Sequence, residues 1–180
     1  MRHEIRFSGF GGQGIILSAV ILGRAAALYD HNYAVQTQVY GPEARGGASM
    51  SAVIISDQPI LYPEVPDPGI YVIMSQQGFE KYGANPAPGS VMLIDADLVH
   101  SRPSCPYYEI RSTSEAKTNI GRVIVANIVM LGAVVAVTGV VSREAIEKAV
   151  LDSVPRGTEE LNMKALRRGF ELGDKEVETR

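Results

Sequence analysis

Six residues near the amino terminus, Gly9-Phe10-Gly11-Gly12-Gln13-Gly14, place four glycines and one amide side chain where a backbone can meet a ligand. Glycine has no Cβ, so such a loop turns sharply and lets another molecule approach the main chain. The loop follows Glu4 to Ser8, whose apolar members Ile5 and Phe7 alternate with polar ones. It precedes a long apolar run from about Gly14 to Leu28. Read as strand, loop and helix, the segment matches G-x-G-x-x-G in its required context. The first free N–H groups of the helix, together with its dipole, favour an anion on the loop. Gly9, Gly11, Gly12, Gln13 and Gly14 are therefore candidate binding residues, with Gly11 a candidate for a left-handed φ. The plainer reading is tight packing of helix on strand, which also uses glycine.

A second glycine-bearing segment, Tyr40-Gly41-Pro42-Glu43-Ala44-Arg45-Gly46-Gly47, follows the strand Tyr33 to Val39. In an open α/β sheet it emerges at the same carboxyl edge as the first loop, where ligands of such sheets bind. Tyr40, Gly41, Arg45, Gly46 and Gly47 join the candidate set. Arg45 suits a forked contact to a phosphate or carboxylate. It suits equally an ion pair with Glu43 or with a partner chain. Tyr40 can stack on a base or pack on a neighbouring subunit. The residues leave a small ligand and a partner surface both open.

A nicotinamide enzyme needs an acid at the tip of the second strand, roughly 20 residues beyond the loop. That strand runs into Tyr40, and Asp30 precedes it at the other edge. No nucleophile is paired with a base: His3 is terminal, and His31 and His100 fall in turns. The single cysteine, Cys105, lies in a proline-flanked loop and cannot by itself hold a cluster. No catalytic or metal-ligating residue is nominated. A net charge of −3 provides no field for nucleic acid or an anionic membrane. The absence of a disulfide pattern fits a cytoplasmic protein, and Met1-Arg2-His3-Glu4 leads directly into strand with no secretory signal.

The elements that must position these loops follow from pattern. With 46% apolar and 21% charged residues, the 180-residue chain reads as one globular domain, residues 1–180, with a frayed charged tail over 173–180. Ser49 to Ser56 alternates and follows a connection too short for a helix, so it should run antiparallel to its predecessor. Ile70 to Met74 and Val91 to Asp95 read as buried strands, and Ser75 caps a short helix through Tyr82. A strand near Tyr107 to Arg111 precedes a polar connection opened by Ser112 and Thr113. Helices are expected over about Arg122 to Thr138, Ser142 to Ser153 and Thr158 to Leu172, with Ser142 and Thr158 as caps. The apolar stretch Val123 to Val141 carries Asn127, Gly132, Thr138 and Gly139 and reads as a buried helix, not a membrane span. The fold class is α/β: a three-layer α/β/α sandwich around a Rossmann-like, mostly parallel sheet with at least one antiparallel strand.

The two glycine loops in this order, with Asn127-Ile128-Val129-Met130-Leu131-Gly132 further on, resemble the gamma subunit, or gamma domain, of 2-oxoacid:ferredoxin oxidoreductases. The resemblance covers about residues 3–172 and is strongest toward the 2-oxoglutarate and ketoisovalerate branch. It implies a subunit of a complex that decarboxylates a 2-oxoacid to an acyl-CoA and reduces ferredoxin. Thiamine diphosphate, Mg²⁺ and iron–sulfur clusters would then reside on alpha, beta and ferredoxin-like delta subunits. This chain would contribute interface and, as its candidate ligand, coenzyme A at the two loops; alone it should be inactive. Two other readings stand beside it: a free-standing nucleotide-binding Rossmann-like enzyme, and a purely structural docking subunit.

Overall fold

The computed structural model describes residues 1–38 and 47–179. Strand β1 (Arg2–Phe10) leads through the glycine loop into α1 (Ile15–Arg24), which continues as a π-helical turn over Ala25–Tyr29. β2 (Tyr33–Gln38) and β3 (Ala48–Ser56) follow, then β4 (Ile70–Ile73), α2 (Gln76–Tyr82), β5 (Val91–Asp95) and β6 (Tyr107–Ile110). The carboxyl-terminal third is helical: α3 (Ser112–Glu115), α4 (Ala126–Thr138), α5 (Arg143–Ser153) and α6 (Glu159–Glu178).

These strands form one sheet in the order β2-β3-β1-β4-β5-β6. β3 runs antiparallel to both its neighbours, whereas β1, β4, β5 and β6 pair in parallel. The antiparallel strand expected from the short connection is therefore present, and the architecture is the mostly parallel, helix-flanked sheet read from the sequence. From β1 the chain moves outward to β2 on one side and later to β4 on the other. The crevice between β1 and β4 is thus the topological switch point of the sheet.

Two unequal cores cover the two faces. On one, Ile5, Phe7, Val53, Val72 and Leu93 pack against α1, α4, α5 and α6. On the other, Tyr71, Ile73, Met92 and Ile94 pack against Phe79 of α2 and Val99. β4 is buried on both faces, which explains its unbroken apolar run. Each such aliphatic side chain, fully buried, stabilises the fold by about 1.5–3 kcal/mol relative to exposure. Arg6, on the smaller face, donates to the carbonyls of Val65 and Pro66 and lies over the Tyr71 ring, which ties down the proline-marked loop.

Three local expectations need correction. The segment after β6 is not an open polar connection: α3 and a π-helical turn over Ala116–Ile120 occupy it, ended by Gly121 at φ 86°. Its start is capped from a distant loop. Asp95 accepts from the Ser112 hydroxyl at 2.6 Å and from the Thr113 hydroxyl at 2.6 Å, and Asp97 accepts from Ser114 N–H at 2.7 Å. Local pattern could not show carboxylates arriving from β5.

The last helix does not stop near Leu172, because α6 continues to Glu178. Gly173 does not stop the helix; it lies against α4, where a Cβ would fall 2.9 Å from the Ala133 carbonyl oxygen. Gly132 and Gly169 face each other at the same crossing, with added Cβ atoms 2.2 Å from the Leu166 oxygen and 2.0 Å from the Val129 oxygen. These glycines let two backbones approach, so glycine here marks contact and not termination. Thr158 occupies the cap position of α6, but its hydroxyl donates to Pro155 C=O and accepts from the Asn162 side-chain amide instead of from a helix backbone N–H. Ser75 and Ser142 do cap, accepting from Gly78 and Ala145 N–H respectively. No helix among the described residues is long and apolar enough to cross a membrane.

Candidate functional site

The glycine loop lies at the carboxyl end of β1, over the switch point. Phe10 and Gln13 close a four-residue turn, with Gln13 N–H donating to Phe10 C=O at 3.3 Å. Its third residue, Gly12, has φ 94°, the position at which a type II turn needs positive φ. Gly14, at the helix N-cap, has φ 75°. The left-handed positions are thus Gly12 and Gly14 and not Gly11, because the turn begins at Phe10, one residue later than a count from Gly9 suggests. The first intrahelical bond runs from Ser18 N–H to Gly14 C=O at 2.9 Å, so the N–H groups of Ile15, Ile16 and Leu17 have no partner within the helix.

Both ends of the Gln13 side-chain amide are bonded within the protein. Its Oε1 accepts from Phe10 N–H at 2.8 Å, and its Nε2 donates to the Met74 carbonyl, at the end of β4, at 2.8 Å. Gly9 is buried in β1, and a Cβ there would meet Gln13 Oε1 at 2.3 Å. α2 closes the other side: a Cβ on Gly78 would come 2.9 Å from Gly9 N. Of the loop glycines only Gly11 and Gly12 are exposed, and nothing stands within 4 Å of the Cβ position of Gly12.

Beside the loop a cleft of about 430 Å³ opens between Phe10, Gly12 and Gln13 on one wall and Leu98, Thr113 and Ile124 on the other. These residues follow β1, β5 and β6 or precede α4, so the cleft occupies the carboxyl edge where open α/β sheets bind ligands. Its described lining carries no charged side chain. Phe10 and Ile124 stand 42% and 76% exposed at its mouth, an unusual position for large apolar groups. Thr113 on the wall is held by Asp95. Burial pushes the Asp95 carboxyl above its ordinary range, against the pull of the Ser112 and Thr113 hydroxyls.

Tyr40, Gly41, Arg45 and Gly46 lie outside the described residues. Gly47 is described and immediately precedes Ala48, which pairs with Phe10 across the sheet. β2 ends at Gln38, opposite Ser51, and β3 begins at Ala48, opposite Phe10, so both of these strand ends lie at the edge that bears the glycine loop. Asp30, on the wrong edge for a ribose ligand, instead anchors α5 by accepting from the Ser142 hydroxyl and N–H at the start of that helix. Among the described residues, no group of three or more His, Cys, Asp or Glu converges as a metal site.

A larger groove, about 630 Å³, runs along α6, and Arg168 on its lining is already engaged. Arg168 pairs with Glu115 at 2.8 Å and with Glu171 at 2.5 Å. That pairing holds the Glu115 carboxyl below its ordinary range. Size therefore does not select the site here; position on the sheet does.

Asn127 stands out in the sequence as an interruption of an apolar run and as the start of a segment that carries the resemblance, but its contact with the glycine loop was not legible there. It is 4% exposed on α4, with Nδ2 3.3 Å from the Gly14 carbonyl and 3.4 Å from Ser18 Oγ. A lone amide within ten consecutive buried residues was the available signal.

Fold and site define a Rossmann-like α/β module that presents glycine backbone to an apolar cleft at its switch point. Residues 4–172 match the pyruvate ferredoxin/flavodoxin oxidoreductase family, and the chain belongs to that family. The 2-oxoglutarate synthase subunit KorC of Methanocaldococcus jannaschii is 57% identical, over 96% of this chain and 94% of its own length. The pyruvate synthase subunit PorC of Methanothermobacter marburgensis is 35% identical, over 93% and 96%. The crystal structure of a keto/oxoacid ferredoxin oxidoreductase gamma subunit from Geobacter sulfurreducens superposes with a TM-score of 0.85. It shares 51% identity over 95% of this chain and 98% of that one. The resemblance drawn from the two loops is to the family these relatives represent. A free-standing nucleotide-binding enzyme is not favoured.

Proposed function

We propose that this chain is the gamma subunit of a cytoplasmic 2-oxoglutarate:ferredoxin oxidoreductase, in which it supplies interface and part of the coenzyme A site. The assembled enzyme removes CO₂ from 2-oxoglutarate, joins the remaining succinyl group to the coenzyme A thiol, and passes two electrons to ferredoxin. Thiamine diphosphate with Mg²⁺ and the iron–sulfur clusters belong to alpha, beta and ferredoxin-like delta partners in this scheme. One observation carries the choice of substrate: identity is 57% to a 2-oxoglutarate synthase subunit but 35% to a pyruvate synthase subunit, over nearly the same span.

The contribution of this chain to coenzyme A is one of holding and not of reaction. Gly12 leaves its backbone open to a ligand, the α1 amino terminus supplies N–H groups and a favourable dipole, and the apolar cleft suits a pantetheine arm. Arg45 is the proposed charged contact to the phosphates. A purely structural role is the second reading, favoured by the exposure of Phe10 and Ile124 at the cleft mouth.

Co-expression with the neighbouring reading frames and purification through a tag on this chain tests the proposal. The expected product is a multi-chain complex that reduces viologen only with both 2-oxoglutarate and coenzyme A. Recovery of this chain alone, or a complex that turns over pyruvate and not 2-oxoglutarate, would overturn it.

A further inference from the structure

Two of the four glycines in Gly9–Gly14, the first and the last, each make room for a side-chain amide. Gly9 accommodates Gln13, whose Oε1 lies 2.3 Å from where a Cβ would be. Gly14 accommodates Asn127, whose Nδ2 lies 2.4 Å from its Cβ position. Gln13 spans Phe10 N–H and the Met74 carbonyl, fastening the loop to the end of β4. Asn127 donates toward the Gly14 carbonyl and Ser18 Oγ, fastening the loop's far end to α4. A buried amide within an apolar helix is costly unless it bonds, and this one bonds to the loop.

We propose that Gln13 and Asn127 are positioning residues: together they fix the glycine loop so that Gly12 stays open on the wall of the carboxyl-edge cleft. The loop is then tied to an adjacent strand and to a helix more than a hundred residues away in sequence. The kinetic arm of the test rests on the coenzyme A reading above; the exchange arm does not.

Two variants separate positioning from bulk structure. Gln13→Glu keeps the acceptor for Phe10 N–H but sets a carboxylate oxygen against the Met74 carbonyl. Asn127→Leu keeps the branching and heavy-atom count of the side chain and removes the donor. In the free chain, amide hydrogen exchange of Gln13 and Ser18, whose N–H groups bond to the Phe10 and Gly14 carbonyls, should accelerate about fivefold or more in either variant, the size expected for one lost hydrogen bond, with the amides of β1 to β6 unchanged. In the assembled enzyme, KM for coenzyme A should rise by about the same factor, with kcat within about twofold and subunit association intact. Faster exchange with an unchanged KM supports the clamp and removes coenzyme A from this loop. Unchanged exchange in both variants overturns the proposal. So does acceleration spread equally over strands and loop, which would make both residues ordinary supports of the fold.

Discussion

Replacing Gly14 by alanine probes the joint between glycine loop and α4, and the structure sets the magnitude. Alanine at φ 75° sits in the left-handed region, which costs roughly 1–2 kcal/mol for a residue with a Cβ. The new Cβ would also lie 2.4 Å from Asn127 Nδ2 and 2.8 Å from its Cγ. Asn127 is 4% exposed, so its amide has little room to swing away. Overpacking of this kind costs about 1–3 kcal/mol. The sum, roughly 2–5 kcal/mol, is a large share of the stability of an ordinary domain. In an Asn127→Ala background the clash is gone and only the backbone cost of about 1–2 kcal/mol should remain. A double-mutant cycle in urea, followed by far-ultraviolet circular dichroism, reads the difference directly. The expected coupling is about 1–3 kcal/mol. Equal costs of Gly14→Ala in the two backgrounds would show that Asn127 does not occupy the Gly14 face, and the reasoning would fail.

Gly169→Ala should destabilise by about 1–3 kcal/mol despite the higher helix propensity of alanine, because its Cβ would meet the Val129 carbonyl, a backbone atom that cannot step aside. An unchanged Tm would refute the close α4–α6 crossing. Asp95, whose folded carboxyl is raised by burial, binds its proton more tightly folded than unfolded. Stability should therefore fall as pH rises through the window between its unfolded and folded values, and Asp95→Asn should flatten that slope in urea titrations at several pH values. Glu115 acts in the opposite sense. Held low by Arg168, it contributes stability that is lost as pH falls through its folded value, and Arg168→Met should reduce this acid sensitivity. In the reconstituted enzyme, Arg45→Ala should raise KM for coenzyme A about tenfold to a hundredfold with the complex intact. Loss of every activity together with subunit association would assign Arg45 to the interface instead.

The sequence by itself determined the layers and the edge. Alternation in Glu4–Ser8 and Ser49–Ser56, unbroken apolar runs in Ile70–Met74 and Val91–Ile94, and a connection too short for a helix are local signals. They specify strand, burial and an antiparallel partner without reference to the rest of the chain. The glycine loop was legible for the same reason, since strand, turn and helix N-terminus are contiguous. Tertiary structure alone decided what each glycine is for. Gly12 serves a turn, Gly9 and Gly14 yield space to Gln13 and Asn127, and Gly132, Gly169 and Gly173 seat α6 on α4. A glycine reads the same in sequence whether it bends a loop, ends a helix or admits a neighbour; the difference is the atom that fills the missing Cβ position. For Gly14 and the α4–α6 glycines that atom comes from a residue far away in the chain. So do the carboxylates of Asp95 and Asp97 that start α3, and the amide of Asn127 that holds the loop.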